Sequence, residues 1–437
     1  MKKVALLFFT LLLTTSAFSQ GMLNLFGRSE DYFKSLSEEK YTEAYNFFDD
    51  SFKTKISEDN LKDLWSKITE KFGKLENVSV VGTKAQGEYY VVTVEAKFSG
   101  DTQNFIIGFN KTDKIVGFFI QPKAASEAYK LPMYADSTLY KETEIYVKTP
   151  KHQLVGKLIV PKNATNYPVV VLVHGSGPSD MDESVGANKP FKDLALGLAA
   201  KGIASIRYVK RTLVYAGDFS GAFTVKEEVL DDALAAIELA RTTPGIDKKQ
   251  IYLLGHSLGG MLAPRLGALA PDLKGLILLA APARKLTDII IDQNKYMFSL
   301  AKDTTDKGKK LLDTIILELS QTKITQLGTV KPDSLLLGMP ASYWVDLNIY
   351  DQVAVAKKLK QRIFIAQGGN DFQVTEQDYT LWKTALEKQK SATVKLYPDL
   401  NHLMATQKEK GNSQQYDIPG NVSSVLVDDL AIWIKTK

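Results

Sequence analysis

The sequence predicts an α/β fold with a smaller α+β domain in front of it. Two observations predict this: the hydrophobic period changes from helical to strand-like near residue 75, and later apolar strand segments alternate with amphipathic helices. The chain has 437 residues, of which 44% are hydrophobic and 24% charged. This is ordinary globular composition, and the length suits about two or three domains.

Composition excludes several classes of function. The chain carries 55 Lys and Arg against 50 Asp and Glu, a net charge of +5, and the basic residues are not grouped in blocks. We therefore expect no nucleic-acid partner. There is no cysteine, which excludes disulfides, thiolate zinc sites, cysteine nucleophiles and an N-terminal lipid anchor on cysteine. Any covalent catalysis must therefore use oxygen or imidazole groups.

The first 19 residues have the pattern of a signal peptide. Lys2 and Lys3 precede an apolar run over residues 4–13, and small residues follow up to Ser19. The alternative is a membrane anchor, but a spanning helix needs roughly 20 apolar residues and this run offers about half of that. No later apolar segment is long enough to span. We expect cleavage, a secreted or periplasmic protein, and no membrane span after cleavage.

Residues 22–125 form the predicted α+β accessory domain. A helical segment is followed by four short β-branched and aromatic runs separated by glycines and by the turn over residues 110–113, as in an antiparallel meander. The helical face is formed by Leu61, Leu64, Trp65, Ile68 and Phe72. This order of elements resembles the cystatin-like and NTF2-like domains that precede some bacterial hydrolases. The resemblance implies packing, dimer formation or shaping of access to a neighbouring site; an independent ligand cup is the alternative.

Residues 131–437 form the predicted catalytic domain. Strands that are apolar throughout, each followed by a helix, indicate a mostly parallel sheet covered on both faces. One helix is predicted over 224–242, with Thr224 and Glu227 as a capping box. The predicted strands are 144–147, 154–160, 169–173, 204–207, 250–254, 276–279, 362–366 and 393–397.

The strongest chemical signal is the segment Gly255-His256-Ser257-Leu258-Gly259-Gly260. It follows the apolar strand 251–254 and precedes a helical run over 261–270. A serine on such a sharp strand-to-helix turn is exposed, and the glycines allow the turn to pack closely. The helix that begins there directs its N–H groups toward developing negative charge. Ser257 is the predicted nucleophile; the alternative is a glycine-rich packing turn.

A serine nucleophile needs a base, and the chain has only four histidines. His402 follows the last predicted strand and comes last in the chain, so we assign it as the base. The third member is expected between serine and histidine in the sequence. Asp371, in the loop after strand 362–366, is the predicted acid, and it would fix the tautomer of His402. Asp399 is the rival, but a residue three positions from the histidine seldom has the geometry to orient it.

The loop after strand 169–173 reads His174-Gly175-Ser176-Gly177-Pro178. Such a glycine-rich loop presents a backbone N–H to a tetrahedral oxyanion, paired with the N–H of the residue after the nucleophile, Leu258. Ser176 is the predicted loop donor, although Gly175 and Gly177 are open alternatives. His174 is interpreted as organising the loop, and His256 as structural packing beside the nucleophile.

With these motifs in order, residues 139–437 resemble the α/β-hydrolase fold serine hydrolases. The similarity is greatest to secreted bacterial esterases and dienelactone-hydrolase-like enzymes that carry a His-Gly-Ser-Gly-Pro loop and an accessory domain. The resemblance implies a helical cap insertion, here about residues 283–355. Met339, Tyr343 and Trp344 are predicted either to line a substrate pocket under the cap or to form the cap's own core.

The sequence as a whole predicts an exported enzyme that hydrolyses small carboxylic esters through an acyl-enzyme, with no metal and no organic cofactor. Two other functions are open. One is a serine peptidase or amidase of the same fold, and the other is a non-catalytic binding protein on a hydrolase scaffold. Strands of the accessory domain could also pair between copies, so a homo-oligomer is a further hypothesis.

Overall fold

A computed structural model describes residues 20–86, 89–121, 129–162, 164–219, 221–302 and 305–436. The predicted signal peptide, residues 1–19, lies outside these ranges and stays a prediction. The chain divides into two compact units: the first extends to residue 125 and also includes residues 215–221, and the second contains the remainder. Within the described ranges, no helix has the length and apolar character needed to cross a membrane.

The first unit consists of helices followed by a four-stranded antiparallel sheet whose strands neighbour one another in chain order. The helices are α1 Gln20–Ser37, α2 Tyr41–Tyr45, α3 Asp50–Lys53 and α4 Glu58–Phe72, and the strands are β1 Leu75–Gln86, β2 Tyr89–Phe98, β3 Thr102–Phe109 and β4 Ile115–Gln121. The α+β prediction for this unit is therefore confirmed.

The core of the first unit lies between α1, α4 and one face of the sheet. Helix α4 begins at a capping box made by Ser57 and Asn60 and buries Leu61, Trp65 and Ile68. Strand β3 alternates buried and half-buried residues along its length, as expected when one face packs on a core. Phe105 of this strand is fully buried, and its ring centroid lies 5.1 Å from that of Phe33. Aromatic edge contacts of this kind dominate the core.

The second unit is built on an eight-stranded mixed sheet in the order β14-β13-β10-β9-β7-β8-β6-β5. Strand β6 pairs antiparallel with both of its neighbours, β5 and β8, and all the other neighbouring pairs of the sheet are parallel. The strands are β5 Tyr140–Lys148, β6 Gln153–Pro161, β7 Tyr167–Val173, β8 Ala204–Tyr208, β9 Ile246–His256, β10 Gly275–Leu279, β11 Leu335–Leu336, β12 Met339–Pro340, β13 Arg362–Gly368 and β14 Ala392–Tyr397; β11 and β12 form a separate hairpin. The predicted α/β class is confirmed.

Helices cover the large sheet and form the insertion between β10 and β13. They are α5 Pro190–Ala200, α6 Arg211–Val214, α7 Asp231–Thr242, α8 Leu258–Leu269, α9 Leu286–Ala301, α10 Asp306–Ser320, α11 Ala341–Ile349, α12 Gln352–Ala356, α13 Glu376–Leu386 and α14 Ser424–Lys435. Helices α9 to α12 and the β11–β12 hairpin lie in the segment for which the sequence predicts a cap.

One helix prediction was wrong at its beginning. The predicted helix 224–242 starts with a π-helical turn, Lys226–Leu230, before α7. The carboxylate of Glu227 accepts a hydrogen bond from the Thr224 N–H at 2.8 Å, as in a capping box, but the Thr224 hydroxyl accepts from Lys226 rather than from Glu227. Because a π turn is wider than an α-helical turn, a different backbone N–H reaches the Thr224 hydroxyl. Turns of this kind frequently occur at functional sites.

The sheet brings the predicted site residues to one edge. Parallel strands β7, β9 and β13 each end at this edge, so the loops after them meet there. Strand β14 pairs with β13 and leads toward His402. In open α/β sheets, ligands bind outside the carboxyl ends of the strands.

Candidate active site

Ser257 stands at the turn between β9 and α8 in a strained backbone conformation. Its φ is +52° and its ψ −116°, in a region that non-glycine residues rarely adopt. The strain is held by the surroundings, because the Ser257 N–H donates to the Leu279 carbonyl at 2.9 Å and the Ser257 carbonyl accepts from Met261 at 2.9 Å. Ser257 is also less buried than the residues on either side of it. The turn therefore presents the hydroxyl at the edge of the sheet.

The glycines around Ser257 are required by close packing. A Cβ on Gly255 would lie 2.6 Å from the backbone nitrogen of Gly260, and a Cβ on Gly259 would lie 2.6 Å from the carbonyl oxygen of His174. These neighbours are backbone atoms, which cannot move aside as a flexible side chain can. The turn and the start of α8 thus pack directly against the end of β7.

Asp371 and His402 form a buried hydrogen-bonded pair. His402 Nδ1 lies 2.8 Å from Asp371 Oδ2, and both side chains are almost fully buried. The other carboxylate oxygen of Asp371 accepts the N–H groups of Gln373 and Val374 at 2.7 and 2.9 Å. These donors fix the orientation of the carboxylate. The partner of the His402 ring is thus Asp371, and not the rival Asp399.

His256, the residue before Ser257, contacts the backbone of His402. Its Nε2 lies 2.8 Å from the carbonyl oxygen of His402, and the two rings are 4.7 Å apart. Its Nδ1 lies 3.0 Å from Glu183 Oε2, an ion-pair contact rather than a well-aligned hydrogen bond. Burial alone would lower the pKa of His256, but the Glu183 carboxylate raises it above its usual value. The predicted packing role of His256 therefore understates its polar contacts.

The loop 174–178 is held by two buried carboxylates. Glu183 accepts the Gly175 N–H at 2.6 Å, and Glu228 accepts the Gly177 N–H at 3.3 Å. Within the described ranges, the N–H groups of Ser176 and Leu258 have no acceptor. Both lie near Ser257: Leu258 is the next residue, and a Cβ on Gly175, the residue before Ser176, would lie 3.2 Å from the Cβ of Ser257. Of the three possible loop donors, the N–H groups of Gly175 and Gly177 are thus already bound by carboxylates, and the N–H of Ser176 is left.

His174 lies at the start of the same loop and is buried. Its Nε2 contacts the carbonyl oxygen of Asp180 at 2.9 Å. Burial lowers its pKa to about 4, despite the opposing effect of the Glu183 carboxylate. A neutral ring that ties two parts of the loop together agrees with the organising role predicted for it.

The three predicted pocket residues are all buried. Met339 is part of β12, and Tyr343 and Trp344 are part of α11. The Tyr343 hydroxyl donates to Glu228 at 2.7 Å, and the Trp344 ring N–H donates to the Leu336 carbonyl at 2.7 Å. The polar atoms of both aromatic residues therefore serve internal contacts, which favours the cap-core alternative. A role in substrate binding stays a prediction.

Sequence reasoning missed the buried charged residues around the loop, Glu183, Lys210 and Glu228. Lys210 and Arg211 lie two and three positions after the end of β8, and they pair with Glu228 and Asp232. These acids stand four positions apart, in the spacing of one helix face, while the two bases are adjacent in sequence. Two acids on one helix face and two adjacent bases after a strand were the sequence signal that could have predicted these two ion pairs.

The mixed eight-stranded sheet, the strained serine between strand and helix, and the Asp–His pair after later strands define an α/β-hydrolase. Residues 166–409 match the family model described as serine aminopeptidase, S33, and the chain belongs to this family. Residues 29–118 match a family described as a protein of unknown function, DUF3887. The predicted relationship to hydrolases of this fold is confirmed, and the protein is an enzyme similar to esterases.

The chain is also similar to individual proteins. The chain is 34% identical to esterase EstD of Thermotoga maritima over 404 residues, which cover 92% of this chain and 93% of EstD. Among solved structures, Est1E from Butyrivibrio proteoclasticus has a TM-score of 0.43 at 16% identity, covering 67% of this chain and 99% of Est1E. The acylaminoacyl peptidase of Pyrococcus horikoshii has a TM-score of 0.43 at 15% identity, covering 75% of this chain and 47% of the peptidase.

Proposed function

We propose that the protein is an exported serine hydrolase that cleaves carboxylic esters through an acyl-enzyme on Ser257. The observation that carries the proposal is the contact of 2.8 Å between His402 Nδ1 and Asp371 Oδ2, at the same sheet edge as the strained Ser257 turn. A serine, a histidine and a carboxylate with these relations supply a nucleophile, a base and a group that orients the base.

In the first half of the reaction, the Ser257 Oγ attacks the ester carbonyl while His402 Nε2 takes the hydroxyl proton. Asp371 holds the proton on Nδ1, so that Nε2 is the basic nitrogen, and its charge stabilises the imidazolium that forms. The oxyanion of the tetrahedral intermediate is bound by the N–H groups of Leu258 and Ser176. Collapse of the intermediate breaks the bond to the alkoxy group, which leaves as the alcohol with the proton from His402.

In the second half, a water molecule attacks the acyl-enzyme. His402 takes a proton from the water, the same two N–H groups bind the second oxyanion, and the carboxylic acid is released. Ser257 recovers its proton from His402. The cycle requires no group beyond the residues of this chain and water.

The ester preference is supported by EstD and by the charges of the cap. An aminopeptidase needs a free carboxylate to bind the substrate's amine. Three carboxylates of the cap are not available for this, because Asp288, Asp292 and Asp346 are each paired with a basic side chain, namely Lys323, Arg284 and Arg265. The description of the matched family as serine aminopeptidase nevertheless favours peptide hydrolysis as the second candidate.

Export is proposed from the sequence of residues 1–19. Intact-mass analysis of the protein recovered from a bacterial periplasm or culture medium tests it. We expect a chain that begins at Gln20, and a chain that retains residues 1–19 in the cytoplasm would contradict export.

Hydrolysis assays test the reaction. We expect residues 20–437 to turn over p-nitrophenyl esters between acetate and octanoate faster than aminoacyl p-nitroanilides. Ser257→Ala should lower kcat at least about a thousandfold, as removal of a triad nucleophile does. Ser320→Ala, on exposed helix α10, is the matched control and should retain full activity. Cleavage of anilides alone would establish the peptidase alternative, and a folded protein inactive on both would contradict the proposal.

A further inference from the structure

Lys210 is a buried lysine whose ammonium group contacts the loop 174–178. It follows strand β8, and its side chain is only 3% exposed. Nζ donates to the Gly175 carbonyl oxygen at 2.8 Å and to Glu228 Oε1 at 2.5 Å. A buried ammonium without such partners would be strongly unfavourable, so its position is determined by these two contacts.

Glu228 is the partner that fixes Lys210, and it also connects the loop to the cap. It lies in the π-helical turn Lys226–Leu230 and is buried. Its Oε1 accepts from Lys210 and from the Gly177 N–H, and its Oε2 accepts from the Tyr343 hydroxyl of α11 at 2.7 Å. One carboxylate therefore joins β8, the loop 174–178 and the cap.

The contact with Gly175 determines the direction of the next N–H group. The Gly175 carbonyl and the Ser176 N–H belong to one planar trans peptide and point in opposite directions. An ammonium group that holds the carbonyl therefore also holds the Ser176 N–H, which has no acceptor of its own among the described residues. The positive charge on the carbonyl side also polarises the peptide and makes its N–H a stronger donor.

We propose that Lys210 is a positioning residue for the oxyanion hole: by holding the Gly175 carbonyl, it aims the Ser176 N–H at the developing oxyanion. Glu228 and Tyr343 hold Lys210 in place. This inference rests on the proposed function, because it assigns a role within the acyl transfer on Ser257. Because Tyr343 belongs to α11, the position of this cap helix also affects the oxyanion donor through Glu228 and Lys210.

A purely structural ion pair is the alternative. Replacing both members of a buried pair by neutral residues of similar size is often harmless to stability, whereas removing one member leaves an unpaired charge. The double variant Lys210→Met, Glu228→Gln therefore separates the two roles. It removes both charges and the hydrogen bond to Gly175. The matched control is Lys226→Met, which removes an exposed lysine of the turn that contains Glu228; this lysine is paired with Asp231.

The experiment measures kcat and KM with a p-nitrophenyl ester and the inhibition constant of a trifluoromethyl ketone, whose adduct with serine carries an oxyanion. We expect the double variant to lose at least about tenfold in kcat, since removal of an oxyanion donor costs about 100- to 1,000-fold. KM should stay within about threefold, and ketone affinity should fall in parallel with kcat/KM. Unchanged kcat and ketone affinity in a folded double variant would overturn the proposal.

The variant Tyr343→Phe and the activity of the wild-type protein provide two further tests. If the double variant does not fold, Tyr343→Phe removes a single donor to Glu228, and we expect a fall of about threefold or more in kcat with KM retained; no change would overturn the proposal. The wild-type protein tests the proposed function separately. If the wild-type protein hydrolyses esters and the variants have the same kcat, the role assigned to Lys210 is refuted and the proposed function stands.

Discussion

His256 donates from Nε2 to the carbonyl oxygen of His402 across 2.8 Å, so the residue before Ser257 is hydrogen-bonded to the backbone of His402. The other ring nitrogen faces the Glu183 carboxylate at 3.0 Å. Both neighbours are acceptors, and a neutral ring would turn a lone pair toward one of them. The two neighbours therefore favour the protonated form of the His256 ring, in agreement with the direction in which its pKa is shifted.

Glu183→Gln should destabilise the fold, because it leaves the buried His256 imidazolium without its counter-charge. Breaking such a pair typically costs about 3 kcal/mol or more in the free energy of unfolding. The pKa of His256 is raised in the folded state, so the contribution of the pair is present at low pH and is lost as pH rises through that pKa. Urea unfolding at pH 6 and pH 9 should show a smaller difference from wild type at pH 9.

The control for this prediction is Glu144→Gln. Glu144 accepts a hydrogen bond from the exposed Tyr146 and faces solvent, so its neutralisation should change the free energy of unfolding by less than about 0.5 kcal/mol. Equal stability of Glu183→Gln and wild type at pH 6 would show that the pair is not ionised.

Asp371→Asn should lower kcat by about ten-thousandfold, because the amide no longer favours the tautomer of His402 whose Nε2 is basic. KM for a short p-nitrophenyl ester should change little. Asp399→Asn is the matched control: it replaces the rival carboxylate, three positions before His402, and should retain kcat within about twofold. A large loss in Asp399→Asn with full activity in Asp371→Asn would reverse the assignment of the acid.

Gly259→Ala should prevent stable folding or lower the free energy of unfolding by about 3 kcal/mol or more. The new methyl group would lie against the carbonyl oxygens of Val173 and His174, which are backbone atoms at the end of β7. Gly217→Ala is the control, since a Cβ there has nothing within 4 Å. Thermal unfolding of the two variants measures the difference, and a Gly259→Ala protein as stable as the control would show that the turn is loosely packed.

His174 should make the protein less stable as the pH falls from about 6.5 to 4. The pKa of His174 is about 4 in the folded protein, below the value of 6.5 for an ordinary histidine, so in this range the unfolded chain binds a proton that the folded protein does not. The effect reaches about 3 kcal/mol by pH 4, since one pKa unit corresponds to about 1.4 kcal/mol.

The test compares wild type with His174→Gln, whose side chain can still donate to the Asp180 carbonyl but does not titrate. Urea unfolding between pH 4 and 7 should show a smaller loss of stability in His174→Gln than in wild type. Parallel pH profiles of the two proteins would contradict the neutral state assigned to His174.

The part of the site that follows strand ends was predictable from the sequence. Ser257, Asp371 and His402 each come after a predicted strand, and a parallel sheet brings such positions to one edge whatever the loops do. The same reasoning predicted the order of helices and strands in the first unit, because its helical and alternating periods differ clearly.

The charged residues behind the loop were not predictable in the same way. Whether Glu183 reaches His256, or Lys210 reaches Glu228, depends on the paths of irregular loops and on side-chain burial, and neither has a hydrophobic period. The π turn at 226–230 has a period too close to that of an α-helix for the pattern to separate them. The inclusion of residues 215–221 in the first compact unit likewise has no signal in local sequence.

Covalent labelling by a fluorophosphonate, followed by mass spectrometry of tryptic peptides, tests whether Ser257 is an activated nucleophile. We expect one adduct, on Ser257 in the peptide 250–265, slower labelling in Asp371→Asn, and none in Ser257→Ala. A folded wild-type protein that forms no adduct, or forms it on another residue, would contradict the assignment of Ser257 as an activated nucleophile.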